Sequence, residues 1–172
     1  TATRKEERLL SLLMSHEVYN MGHYLEGLLA WNEASGNELA LACAKKIGDC
    51  LCEHFGYGEG RIRGYDGHPE IELALYRLYR YTGEQKYLDI TRFFVDERGQ
   101  ESEEHPHFYD YEQERNRKEY GKPVLGSIAD WADRHRPYWG HYEYFIADKP
   151  AREQKEPHGH AVRAMYFYCG MA

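Results

Sequence analysis

The sequence predicts an all-α fold built from helical hairpins, and three observations carry that expectation. Apolar residues recur at helical spacing through most of the first hundred positions, Gly36 and Gly83 stand where helices should stop, and a Gly-His pair recurs at 22–23, 67–68 and 159–160, each time where the first helix of a hairpin should open. The offset from His23 to His68 is 45 residues and that from His68 to His160 is 92, about twice the first. Repeats of about 40 to 50 residues with two helices each indicate an α-solenoid or a closed α/α toroid.

Taken in order, residues 4–14 place Leu9, Leu10, Leu12 and Leu13 behind a charged turn and read as a helix, the last of something that began earlier. The stretch SHEVYNMGHYLEGLLAWNEASG follows, with Tyr24, Leu25, Leu28, Leu29 and Trp31 in helical register and Ser35-Gly36 as its stop. Asn37 is a natural N-cap for a second helix over 38–54, whose apolar side is Leu39, Cys43, Ile47, Cys50 and Leu51. After the polar loop RIRGYDG the pattern repeats. Pro69 suits a first helical position because its missing N–H would go unpaired there, so a helix is predicted over 69–82 and, after Gly83, another over 84–97. Residues 99–157 lack clean periodicity and read as a long aromatic-rich insertion, with short helices expected near 110–120 and 128–134. A last helix begins in GHAVRAMYFYCGMA.

Composition narrows the function. The chain has 172 residues, the length of one ordinary domain, and a net charge of −7 with acids and bases interleaved. Phosphate neutralisation needs clustered cations, so nucleic acid and anionic membrane surfaces are not expected partners. No apolar run approaches the length of a membrane span, and residues 1–13 lack the charged-then-apolar layout of a signal peptide, so a soluble protein is expected. Cys43, Cys50 and Cys52 share one helical pattern and Cys169 is remote from them. That spacing matches no common zinc pattern and reads as helix-borne thiols, so no metal ligand is assigned. The 16 tyrosines are an unusual load of amphipathic rings, of the kind that stack on or hydrogen-bond to polyols when not in a core.

The chemistry-bearing candidates are the histidines of the repeat. If the hairpins curve into a ring, His23, His68 and His160 fall around one rim, with His16, Glu17, Tyr65, Glu70 and Arg163 in reach of it. An imidazole at a helix N-terminus is held neutral by the helix dipole and can donate to or accept from a hydroxyl. Hydrolysis of a sugar usually requires two flanking carboxylates, and no spacing among Glu17, Asp66, Glu70 and Asp110 selects a pair. The residues alone therefore support a polyol-binding rim better than a complete catalytic centre.

The segments HEVYNMGHYLEG, RGYDGHPEIELALYRLYRYTGEQKYLDITRFFVDERG, YFIADKPAREQ and GHAVRAMYFYCGMA together resemble glycoside hydrolase family 127, the β-L-arabinofuranosidase-like enzymes. The resemblance implies an (α/α)6 barrel and a retaining mechanism with a zinc-bound cysteine nucleophile and a glutamate acid/base. It also implies sugar-binding roles for His16, His68 and His160, and His23 joins them as the repeat-equivalent position. The family's Glu-x-Cys and Cys-Cys motifs follow the GHAVRAM helix and do not occur here. Residues 1–172 are thus expected to be an internal part of a catalytic domain, inactive alone, carrying one wall of the pocket without its reacting groups. Zinc is expected in the parent enzyme and no cofactor in this stretch. The expected partners are an L-arabinofuranoside or related sugar and the rest of the parent chain, in a bacterial cytoplasm. Two alternatives stand beside this: a sugar epimerase on the same toroid using rim histidines as proton-transfer bases, and a non-catalytic helical-repeat module binding a glycan or protein.

Overall fold

Residues 8–13, 15–120 and 142–172 are described in the computed structural model, and among them every regular element is a helix. In chain order these are α1 (Glu17–Ser35), α2 (Glu38–His54), α3 (Ile71–Thr82), α4 (Gln85–Glu97), α5 (Phe108–Tyr120) and α6 (Ala161–Met171), with 3-10 turns at Tyr142–Phe145 and Ala151–Glu153. The helix expected at 128–134 lies outside the described residues.

The local signals for α1 to α4 act as the sequence predicts. Gly36 and Gly83 take left-handed conformations at the ends of α1 and α3, and their N–H groups return to Asn32 and Tyr79. Asn37 Oδ1 accepts from Ala40 N at 3.1 Å and starts α2. The two hairpins then stack. α1 packs on α3 and α3 on α6 to form one layer, while α2 covers α1 and α4 covers α3 to form the other. Leu25 and Leu29 of α1, Leu51 of α2, Leu75 and Leu78 of α3 and Phe94 of α4 are completely buried between the layers. Each contributes about 1.5–3 kcal/mol relative to an exposed side chain.

Three boundaries differ from expectation. Residues 8–13 are turns, and Leu9 has φ 58°. Leu9, Leu10, Leu12 and Leu13 are all buried rather than only those on one helical face, and their backbone groups are taken by distant partners. Glu112 accepts from Leu12 N at 2.6 Å and Leu13 N at 3.3 Å, while Arg115 and Asn116 donate to the carbonyls of Leu9 and Leu10. Second, α1 starts at Glu17 and not at Gly22-His23, because a single glycine weakens a helix by only about 1 kcal/mol. Third, α3 begins at Ile71 behind an extended Glu70, two residues later than Pro69 suggested.

The stretch after α4 is tied to the hairpins by α5. Its Phe108 and Tyr109 rings sit 5.1 and 5.4 Å from the ring of Tyr65, which is fully buried in the polar loop between α2 and α3. α5 thereby packs under that loop and also grips the segment before α1. Among the described residues no helix is long and apolar enough to cross a membrane.

Candidate functional site

The layer α1–α3–α6 brings three helix N-termini to one place. His16 is the N-cap of α1 and His160 the N-cap of α6, while His68 lies two residues before the N-cap of α3. Between them is a hollow of ≈ 270 Å³ lined by His16, Tyr19, His68, His160, Arg163 and Tyr166, with Pro69 and Val162 as its apolar part. Larger hollows of ≈ 550 and ≈ 790 Å³ lie beside α4 and along residues 143–158, and their charged groups are surface side chains such as Lys86 and Arg152.

Asp66 builds the floor of this site. Its Oδ1 accepts from His68 N at 2.6 Å and its Oδ2 from Tyr19 N at 3.2 Å, so one carboxyl group orders the loop and satisfies an unpaired N–H in the first turn of α1. Burial pushes Asp66 up to about 7, against the pull of those two donors and of Arg98. Arg98 itself is fully buried between the rings of Tyr65 and Phe167, at 4.5 and 4.9 Å. It donates to the carbonyls of Asp66 and Phe145, at 2.9 and 3.1 Å, and to Glu72 Oε1 at 3.2 Å. The loop, α3 and the turn leading to α6 are therefore fastened by one guanidinium.

The protonation of His68 follows from its neighbours. Arg163 Nη2 donates to His68 Nε2 at 2.7 Å, and because arginine only donates, Nε2 carries the lone pair. The proton then sits on Nδ1, which faces Asp66 Oδ1 at 3.4 Å. Burial, aided by the Arg163 charge, pulls His68 down to about 4. His16 stacks on His68 with ring centroids 3.7 Å apart. Its pKa is lowered by burial and by His68, and that of His160 by burial, Arg163 and His68. All three imidazoles are thus neutral at pH 7. Arg163 is held against the rings of Tyr144 and Phe145, at 4.4 and 4.8 Å.

Of the histidines singled out in the sequence, His16, His68 and His160 line the hollow. His23 stands behind its wall. Its ring meets the edges of Tyr19 and Tyr166 at 4.4 and 5.9 Å, and its Nδ1 lies 3.5 Å from Glu70 Oε1. Glu17 is turned to Leu9 N, at 2.9 Å, and Tyr65 is in the core. Tyr19 and Tyr166 are not picked out by the sequence as part of the wall, and Asp66 is weighed there as a candidate acid and not as its floor. Tyr19 follows His16 by three residues and so shares its helix face, a usable signal, yet 16 tyrosines offer many such coincidences. Among the described residues the lining contains no carboxylate and no cysteine. Neutral imidazoles beside tyrosine rings suit an uncharged polyol, with both donors and acceptors on offer.

Comparison with known proteins decides the family. Residues 2–172 match the family described as β-L-arabinofuranosidase, GH127 catalytic domain.

The chain belongs to GH127.

It is 41% identical over 165 residues to the non-reducing end β-L-arabinofuranosidase of Bifidobacterium longum subsp. longum, a match that takes in 96% of this chain and 23% of that protein. The crystal structure of a GH127 β-L-arabinofuranosidase from Geobacillus stearothermophilus T6 superposes with a TM-score of 0.81 at 39% identity, covering 99% of this chain and 24% of that one. A second GH127 β-arabinofuranosidase structure gives a TM-score of 0.70 at 35% identity, covering 97% and 21%. The hairpins described above are therefore part of the GH127 α/α toroid, and the chain spans about a quarter of the length of these relatives.

Proposed function

We propose that the enzyme containing this GH127 stretch hydrolyses non-reducing-end β-L-arabinofuranosides, and that the stretch forms one wall of the sugar pocket. The observation that carries the reading is the meeting of three neutral histidines, at three helix N-termini, around a hollow that also presents two tyrosines. In this role His16, His68 and His160 exchange hydrogen bonds with sugar hydroxyls. Arg163 fixes the tautomer of His68, and Asp66 holds the loop that presents it. His23 reaches the same wall through Tyr19 and Tyr166.

GH127 resemblance implies a zinc-bound cysteine nucleophile and a glutamate acid/base. The cysteines present do not fit that group: Cys43, Cys50 and Cys52 are on α2 and Cys169 is on the exposed side of α6, and none lines the hollow. Cys52 Sγ is directed to Lys86 O and Cys50 to His54. Among the described residues no three His, Cys, Asp or Glu side chains gather as a metal would require. In this reading the zinc, the nucleophile and the acid/base belong to other parts of the enzyme. This division of labour predicts that the isolated stretch does not hydrolyse its substrate.

Replacing His68 by Ala in the full-length enzyme should lower kcat/KM for an aryl β-L-arabinofuranoside by about 10-fold or more, the worth of one or two hydrogen bonds in a dry site. An unchanged kcat/KM would remove His68 from the pocket.

A further inference from the structure

The carboxyl group of Glu70 is not used by the site as described, and its surroundings are unusual. It is 1% exposed, lies directly under the first turns of α1, and has one oxygen, Oε2, with no hydrogen-bond partner among the described residues. Gly22 makes room for it: a Cβ at position 22 would overlap Glu70 Oε2 and come within 3.3 Å of Ile71 Cα. The groups facing it are His23 and Glu26 from α1 and Glu72 from α3, with Tyr19 near by. Glu26 is paired to Arg77 at 2.6 Å and so contributes negative charge. Burial and these two carboxylates push Glu70 up to about 8. Its acid proton at neutral pH has an acceptor in His23 Nδ1, 3.5 Å from Oε1.

We propose that Glu70 is a positioning residue for the sugar pocket: as a carboxylic acid it donates to His23 Nδ1, which fixes the tautomer His23 presents to Tyr19 and Tyr166. With Nδ1 accepting, the ring proton sits on Nε2. When Glu70 ionises it becomes the acceptor, the ring proton moves to Nδ1, and Nε2 is left with a lone pair. The edge contacts of His23 with Tyr19 and Tyr166 then change character, and the bond between those two tyrosines, which are 5.9 Å apart between ring centroids, is the part that reorganises. The effect is on binding and not on bond breaking, since neither Glu70 nor His23 lines the hollow. This inference rests on the proposed pocket for its consequence, and on the Glu70–His23 pair alone for its cause.

The test uses the full-length enzyme with 13C-labelled histidine rings, the His23 signal being assigned by its loss in His23→Asn. In the wild type the His23 tautomer should switch at about the Glu70 pKa, near pH 8, and in Glu70→Gln, which cannot ionise, the switch should be absent. Over the same range the wild-type KM for an aryl β-L-arabinofuranoside should change about fivefold with kcat steady, and Glu70→Gln should flatten that change. The same switch in Glu70→Gln, or no switch in the wild type, overturns the proposal. An equal loss of kcat and KM performance at every pH in Glu70→Gln also overturns it, because that is what a merely structural role would give. An enzyme inactive on arabinofuranosides at any pH contradicts the proposed function, while the histidine signals still decide the role of Glu70.

Discussion

His68 shows how much one residue owes to its surroundings. In the unfolded chain it titrates near 6.5, and in the fold burial and Arg163 pull it to about 4. Between those two values the unfolded state binds a proton that the folded state refuses, so the His68 contribution to stability falls as pH drops from about 6.5 to about 4, while Asp66, Glu70 and Glu112, raised to about 7, 8 and 7, act in the opposite sense. Thermal melts of the wild type and of His68→Gln should therefore differ in their pH dependence: between pH 7 and pH 5 the Tm of the variant should rise relative to that of the wild type. A Tm difference between the two proteins that is the same at both pH values would place the titration elsewhere. Gly67, the preceding residue, is a separate constraint: a Cβ there would overlap the carbonyl of Leu13, a backbone atom that cannot swing aside. Gly67→Ala should destabilise the protein by about 1–3 kcal/mol in denaturant melts, the usual range for overpacking, and should weaken sugar binding by shifting His68. A neutral Gly67→Ala would mean that the approach of the two segments is looser than described.

At the scale of elements, the helices with local signals were legible and those organised by distant partners were not. α2 runs over the residues that Asn37 indicates, because its cap is local, but its buried face is Ala40, Ala44, Gly48 and Leu51, and Leu39, expected on the apolar side, is exposed. The start of α1 was misplaced at Gly22-His23 because Gly22 has another reason to be glycine, the carboxyl group of Glu70 packed against it. Nothing within eight residues of Gly22 in sequence reveals a partner on the far side of a loop. Residues 8–13 were misread for a similar reason. Their leucines have the spacing of a helix, but Glu112, roughly a hundred residues away, takes the N–H groups a helix would have used. Glu112→Gln puts a donor where one of these N–H groups needs an acceptor, and it should destabilise the protein by about 1–3 kcal/mol. Proteolysis before α1 should be faster in the variant if α5 holds this segment. Unaltered proteolysis would show that the leucine burial holds it unaided.

For the whole molecule, the repeat of Gly-His pairs was a real periodicity read in a slightly wrong register. His68 and His160 do stand at helix openings, and His16, not His23, completes the set. The convergence of α1, α3 and α6 is a product of layer packing, and spacing along a chain can only hint at it. The same packing explains why Asp66 reads in the sequence as a candidate acid and not as a structural tie, and why Arg98 is not a candidate at all. Their importance lies in joining a loop, two helices and a turn, which no spacing along the chain reveals. We propose the hollow between the three N-termini as the sugar-binding wall of a GH127 enzyme. A crystal structure of the full-length enzyme with bound L-arabinofuranose tests it most directly. The expected result is a sugar ring in the hollow with hydroxyls within about 3.2 Å of nitrogen atoms of His16, His68 and His160. A sugar bound elsewhere in the toroid, with these three side chains unengaged, would contradict it.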